Sequence, residues 1–285
     1  MSTTPDEPIT SYALAPTRTI TTDGVTYAYR DLGPTDGIPV VLFVHLAATL
    51  DNWDPRIVDA IAANRRVIAF DNRGVGASSG EVPDTVEAMA DDAYAFITAL
   101  GLDTIDAFGF SLGGFVAQAL VVKHPALIRK LVLTGTGPKG GAGIEDVTAV
   151  TIQDSTDAAA AGLDPKVLLF FPHDEQGRAH GTAFVERLTE RTEDRDTEIS
   201  TQAFQTQLAA ITAWGRGKPD DLSGLAHPTL IANGDNDRMV PSVLSEDLHR
   251  RIAGSHLVIY PSAGHGGIFQ NHEEFAPLVV SFLGE

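Results

Sequence analysis

The stretch Ile105 to His124, IDAFGFSLGGFVAQALVVKH, limits what this chain can fold into more than any other. Apolar and small residues run into Gly109-Phe110-Ser111-Leu112-Gly113-Gly114. An apolar pattern then resumes at Leu112, Phe115, Val116, Ala119 and Leu120, which reads as a strand, a sharp turn and a helix. A serine lifted to the crest of such a turn leaves no room for side chains two positions before and after it, and Gly109 and Gly113 meet that demand. The turn also sets Ser111 at a helix start, where free N–H groups and the positive dipole end favour developing negative charge.

The bare pattern G-x-S-x-G is weak, since chance yields it in roughly one chain of this composition in nine or ten. The chain carries its own decoy in Gly76-Ala77-Ser78-Ser79-Gly80, which leads into Glu81-Val82-Pro83-Asp84 rather than into a helix. The strand–turn–helix context therefore selects Ser111 as the nucleophile candidate and sets Ser78 aside.

A chain of 285 residues can bury a large core and suits one α/β domain with an insertion. It has no cysteine, so disulfides, thiolate nucleophiles and cysteine metal sites are excluded. The net charge of −18 repels nucleic acid and acidic membrane surfaces. The start, MSTTPDEPITSYALAPTRT, lacks a basic head and an apolar run of signal-peptide length, and no stretch approaches a membrane span; a cytoplasmic protein without membrane contact is expected.

In chain order, residues 1 to about 17 read as a loose leader. Thr19 to Arg30 alternates around Asp23-Gly24, predicting a hairpin. Pro39 to Leu46 is a continuous apolar run fit for a strand buried on both faces. Asp54-Pro55 offers a cap and first position for a helix with Ile57, Val58 and Ile61 inward. Arg66 to Phe70 is the next strand. Asp84 with Glu87 suggests a capping box before a helix whose inward positions run from Val86 to Leu100, stopped by Gly101. Lys130 to Thr136 is a further strand.

This β-then-α alternation predicts a mostly parallel open sheet with helices on both faces. After Gly137 the rhythm breaks. Between about Pro138 and Ala226 only helical pieces emerge, at Asp164 to Phe171, Thr182 to Glu190, and Ser200 to Trp214 with Phe204, Leu208 and Ile211 inward. Glu186 to Glu198 is a mixed-charge run that reads as a solvated face. Pro228 to Asn233 and His256 to Tyr260 restore strands, with helices at Val243 to Gly254 and Glu273 to Leu283. The expected division is a core of residues 1–137 and 223–285 interrupted by a helical cap, 138–222.

A serine hydroxyl needs a base to take its proton, and the base needs an acid to fix its tautomer and stabilise its cation. Of nine histidines, His265 stands out: Pro261-Ser262-Ala263-Gly264-His265-Gly266-Gly267 is a glycine-rich loop just past the last strand, at the sheet edge where such folds bind ligands. In a scaffold of this kind the acid falls between serine and histidine in the chain. Asn233-Gly234-Asp235-Asn236-Asp237 offers two candidates. Asp237, beyond the turn, is preferred, although it also suits a helix cap before Pro241; Asp235, inside the turn, suits local backbone bonding. The D-x-D pair lacks the downstream ligands of a calcium loop, and no metal or cofactor is implied.

The segments LFVHLA at 42–47, FDNRGVGAS at 70–78, GFSLGG at 109–114, NGDNDRMVP at 233–241 and GHGG at 264–267, in this order, resemble the α/β-hydrolase superfamily. In style the chain is similar to its cofactor-free haloperoxidase, esterase and enol-lactonase group. The resemblance implies an oxyanion hole from the backbone N–H groups of Leu112 and Ala47. It also shows a departure, because relatives read His-Gly where this chain has His45-Leu46, and a side chain at Leu46 narrows the pocket or turns the peptide. His45 itself is expected to organise its loop.

Two-step acyl transfer on a small, largely uncharged ester or lactone is the expected chemistry, with Ser111, His265 and Asp237 catalytic. Leu46, Phe110, Phe170, Phe171, Phe204 and Trp214 are candidate pocket residues, although helical spacing equally fits internal packing. A serine nucleophile argues against haloalkane dehalogenase or epoxide hydrolase chemistry, which the resemblance ties to an aspartate. Rival readings are a perhydrolase or carbon–carbon bond hydrolase with the same triad, a non-catalytic ligand receptor, and an oxidoreductase suggested by Gly135-Thr136-Gly137-Pro138-Lys139-Gly140. The last lacks the helix its motif needs.

Overall fold

A computed structural model describes residues 9–284, and the hairpin shows how local residue choice sets its course. Asp23 and Gly24 both carry positive φ, 51° and 77°. That turn geometry matches the twist of paired strands, and it joins β1 (Thr17–Thr22) to β2 (Val25–Leu32) in antiparallel register. The leader differs from expectation over its described part. Tyr12 is buried, its N–H donating to Asp59 and its hydroxyl to the Leu50 carbonyl, each at 2.6 Å, and Ala15 is fully enclosed. A ring with a hydrogen-bonding tip is anchored well at such a seam. Residues 1–8 of that predicted leader lie outside the described residues.

The apolar runs become β3 (Val40–Phe43), β4 (Val67–Phe70), β5 (Ile105–Phe110), β6 (Ile128–Thr134), β7 (Thr229–Gly234) and β8 (His256–Tyr260). Among the described residues they form one eight-stranded sheet, ordered β1-β2-β4-β3-β5-β6-β7-β8. Pairing is parallel from β4 to β8 and antiparallel at β1·β2 and β2·β4. The central strands β3 to β7 are almost wholly buried; β3 and β4 are apolar throughout, as burial on both faces requires, while Asp106 of β5 and Arg129 of β6 pair with each other near the start of their strands.

Helix α1 (Pro55–Ala62) is capped by Asp54, with Ile57, Val58 and Ile61 inward. Helix α2 (Val86–Ala99) starts one residue later than the capping box suggested: Thr85 accepts the Ala88 N–H, while Glu87 pairs with Lys139. Helix α3 (Leu112–Lys123) follows Ser111 and is buried on nearly every side.

Four helices then separate β6 from β7. The first, α4 (Val147–Ala161), has no counterpart among the helical pieces expected from sequence. Its buried stripe is Val147, Thr151, Asp154 and Ala158, correctly spaced but half polar, so hydrophobic periodicity could not reveal it. Next come α5 (Pro165–Phe170), α6 (Glu175–Leu188), which starts ahead of the predicted Thr182, and α7 (Thr201–Gly215), capped by Ser200. The chain closes with α8 (Val243–Arg251), the short α9 (Gly267–Gln270) and α10 (His272–Gly284).

The mixed-charge run that ends α6 and leads to α7 is more than a solvated face. Arg187 holds the fully buried Asp54 at 2.6 Å, Arg191 donates to the Ala13 and Ala15 carbonyls, and the Asp196 N–H reaches Asp51 at 2.8 Å. These bonds tie the helical segment to the first third of the chain.

Candidate active site

Ser111 sits at φ 56°, ψ −119°, between the end of β5 and the start of α3. A non-glycine residue held at such angles stores roughly 1–3 kcal/mol and persists only where its surroundings fix it. Here the Ser111 N–H donates to Thr134 O at 2.9 Å, and Ser111 O accepts from Gly114 N–H at 2.8 Å and from Thr136 Oγ1 at 3.0 Å. Crowding accounts for the flanking glycines. A Cβ on Gly113 would lie 1.9 Å from Phe43 O, and one on Gly109 would lie 2.4 Å from Gly113 O.

The loop after β8 brings His265 over this turn. Its Nε2 lies 2.9 Å from Ser111 Oγ and its Nδ1 lies 2.7 Å from Asp237 Oδ2, all within a buried cluster. The other oxygen of Asp237 accepts the Met239 and Val240 N–H groups, each at 2.9 Å. One carboxylate thus serves both readings left open by the sequence, turn cap and histidine partner. An ionised carboxylate only accepts hydrogen bonds, so Nδ1 carries the proton and Nε2 is left to accept from the serine hydroxyl. Asp235 bonds backbone as well, but not that of its own turn: it accepts the Ala263 N–H at 3.2 Å, 28 positions on in the loop that carries His265.

His45 organises its own turn through Nδ1, 2.8 Å from Leu46 O, between the rings of Phe110 and Phe170. Burial, helped by the Lys166 charge, lowers its pKa to about 3. It is therefore neutral, with Nε2 buried and without a hydrogen-bond partner.

Leu112 is the first residue of α3, so its N–H has no acceptor within the helix. Ala47, at φ 60°, is different: its N–H donates to Gln207 Oε1 of α7 at 2.8 Å. A backbone N–H can only donate, which fixes the amide's orientation. Gln207 is fully buried, and its Nε2 has no partner. Sequence reasoning did not single out Gln207. The available signal was its position on a buried stripe with Ala203, Ala210, Ile211 and Trp214, where a polar residue needs a partner.

Beside Ser111 and His265 opens a cavity of about 280 Å³, near the low end for small-molecule sites. Of the candidate pocket residues, Leu46, Phe170 and Phe204 line it, together with Leu169 and Met239. Three other candidates lie elsewhere. Phe110 is fully buried beneath His265, their rings 4.9 Å apart; Phe171 packs on Phe184 at 5.6 Å; Trp214 stacks on Phe115 at 5.6 Å. Phe110 and Trp214 fill the core, whereas Phe171 also lines a separate cavity of about 200 Å³ that touches Leu169 and His265. A larger cleft of about 680 Å³ around Arg73, Asp92 and Gln202 shares no residue with this cluster and is not taken as the site. Nor does the Gly135–Gly140 segment open a helix; Thr136 is spent on the serine turn. Among the described residues, no helix is long and apolar enough to cross a membrane.

Residues 39–272 match the family described as alpha/beta hydrolase fold. A solved alpha/beta hydrolase fold protein from Chitinophaga pinensis is 40% identical, with a TM-score of 0.90 over 96% of this chain and 98% of that one. RutD of Rhizobium rhizogenes, named as a candidate carbamate hydrolase, is 28% identical over 87% of this chain and 93% of its own length. A candidate non-heme chloroperoxidase of Synechocystis is 27% identical over 90% and 94%.

Proposed function

The chain belongs to the alpha/beta hydrolase fold family, and from that premise we propose that it is a serine hydrolase cleaving small carboxylic esters or lactones. The observation that carries the reading is the buried line Ser111–His265–Asp237, with spacings of 2.9 and 2.7 Å. Ser111 Oγ attacks the carbonyl carbon as its proton passes to His265 Nε2, and Asp237 stabilises the imidazolium. The tetrahedral oxyanion is met by the Leu112 N–H and, once Gln207 Oε1 yields, by the Ala47 N–H. His265 then returns the proton to the leaving oxygen, and water activated by the same imidazole releases the acid.

Gln207 Oε1 stands in for a carbonyl oxygen at Ala47, so a substrate carbonyl can replace it bond for bond. Loss of one oxyanion donor costs roughly 100- to 1,000-fold in turnover, which makes that exchange worthwhile. The helical segment at 138–222 acts in this reading as a cap over a core of 1–137 and 223–285. The small cavity, with Leu46, Leu169, Phe170, Phe204 and Met239 in its wall, favours a short substrate with an apolar body.

The names of the relatives motivate one rival with the same triad, a peroxide-dependent perhydrolase or haloperoxidase. A panel of short-chain p-nitrophenyl esters and five- and six-membered lactones, assayed with and without hydrogen peroxide, separates them. The proposal expects hydrolysis without peroxide, lost in His265→Ala. Turnover that appears only with peroxide, or none on any member, contradicts it.

A further inference from the structure

Acyl transfer leaves part of the cavity wall unused. Thr151 and Ser155 lie one helical turn apart on α4, hence on one face, and both line the cavity with Lys166 of α5. Thr151 is 4% exposed, yet its Oγ1 has no hydrogen-bond partner. A buried hydroxyl left unpaired is unfavourable, and a ligand atom can supply the missing bond. Lys166 is loosely held: its ion pair is with Asp164 Oδ1 at 3.7 Å, and that atom already caps α5 by accepting the Lys166 N–H. The neighbouring carboxylate of Asp154 is occupied by Arg238, with its two oxygens 2.8 and 2.9 Å from Nη1. In a chain with 38 acidic and 20 basic residues, no Asp or Glu lines this cavity, while a lysine does. The wall therefore runs against the charge of the molecule as a whole.

We propose that Thr151, Ser155 and Lys166 form an anion subsite, so that the preferred substrate is an ester or lactone whose apolar body carries a carboxylate. The inference rests on the hydrolase reading above. A carboxylate only accepts hydrogen bonds, and this wall offers it two hydroxyl donors and an ammonium, the charge-assisted kind that fixes orientation most firmly. The apolar residues Leu169, Phe204 and Met239 would hold the body of the substrate between that end and Ser111.

Two substrate pairs test the subsite: monomethyl against dimethyl glutarate, with the charge on the acyl side, and acetoxyacetate against its methyl ester, with the charge on the leaving side. The readout is the ratio of kcat/KM for the charged and neutral members at low ionic strength. Wild type should favour the charged member of at least one pair by about 10-fold or more, the scale of one hydrogen bond to a charged group. Lys166→Met should lower that ratio by about 10-fold, mainly through KM, Thr151→Val by a few-fold, and Lys166→Arg much less than Lys166→Met. A preference for the neutral member in both pairs, or a ratio unmoved by Lys166→Met, overturns the subsite alone. Equal losses on both members assign Lys166 to the oxyanion or to packing and also overturn it. No turnover of any of the four by folded wild type overturns the hydrolase reading, and the subsite with it.

Discussion

Two segments of this chain read G-x-S-x-G, and the structure puts them to opposite uses. In Gly76–Gly80 the glycines themselves carry positive φ, 57° and 88°. There Ser78 is a buried fastener, donating to Asp71 O at 2.9 Å and accepting the Ala28 N–H at 2.9 Å. In Gly109–Gly113 neither glycine has positive φ; the serine does, and the glycines are needed because Phe43 and Gly113 backbone atoms press against them. One pattern thus answers two physical demands, backbone freedom in the first segment and close approach in the second. A serine becomes a nucleophile candidate where the strain falls on the serine and an imidazole stands over it.

The sharpest way to break this contrast is to disturb the relay on one side only. Asp237→Asn should fold normally, since its turn-capping oxygen is retained, while the wrong imidazole tautomer lowers kcat by up to about 10⁴-fold. Ester turnover alongside circular dichroism checks this, and near-normal turnover would remove Asp237 from the mechanism.

Gln207→Met tests whether the resting oxyanion donor is occupied by the protein's own amide. Removing the competing acceptor should lower KM about 2- to 10-fold, the worth of one neutral hydrogen bond. A fall in kcat at constant KM would instead mean that the amide assists the transition state.

Ser78→Ala probes the other segment. It strips a partner from the Ala28 N–H and the Asp71 carbonyl, so stability should drop by about 1–3 kcal/mol in denaturant unfolding, with kcat/KM near wild type. Smaller still is the effect of the carboxyl beneath that loop. Burial, reinforced by the Asp196 carboxylate, pushes the Asp71 pKa well above the usual range. Above about pH 4 the unfolded chain gives up that proton while the folded protein keeps it, so this group makes stability fall as pH rises. Asp71→Asn should flatten the decline of Tm between pH 4 and 7, and an unchanged slope would assign the pH dependence elsewhere.

What the sequence reveals and what it hides follow from the kind of burial involved. A continuous apolar run announced β3, alternation of short apolar stretches with helical ones announced the parallel sheet, and a serine between glycines with a helix behind it announced the turn at Ser111. His265 and Asp237 were legible because loops at the carboxyl edge of a parallel sheet converge on one place. Hidden were residues buried through polar partners far along the chain: Gln207 meets Ala47 across 160 positions, and Arg187 meets Asp54 across 133. Helix α4 escaped for the same reason, with Thr151 and Asp154 on its inward face. Aromatic residues misled in the other direction. Phe110 and Trp214 fit a pocket wall by composition, yet both are consumed by internal packing.

Active-site labelling with a fluorophosphonate, read by intact mass on wild type, Ser111→Ala and Ser78→Ala, tests the central claim most directly. The account predicts a single adduct on wild type and on Ser78→Ala, and none on Ser111→Ala. Absence of labelling on folded wild type, or an adduct that survives Ser111→Ala, would contradict it.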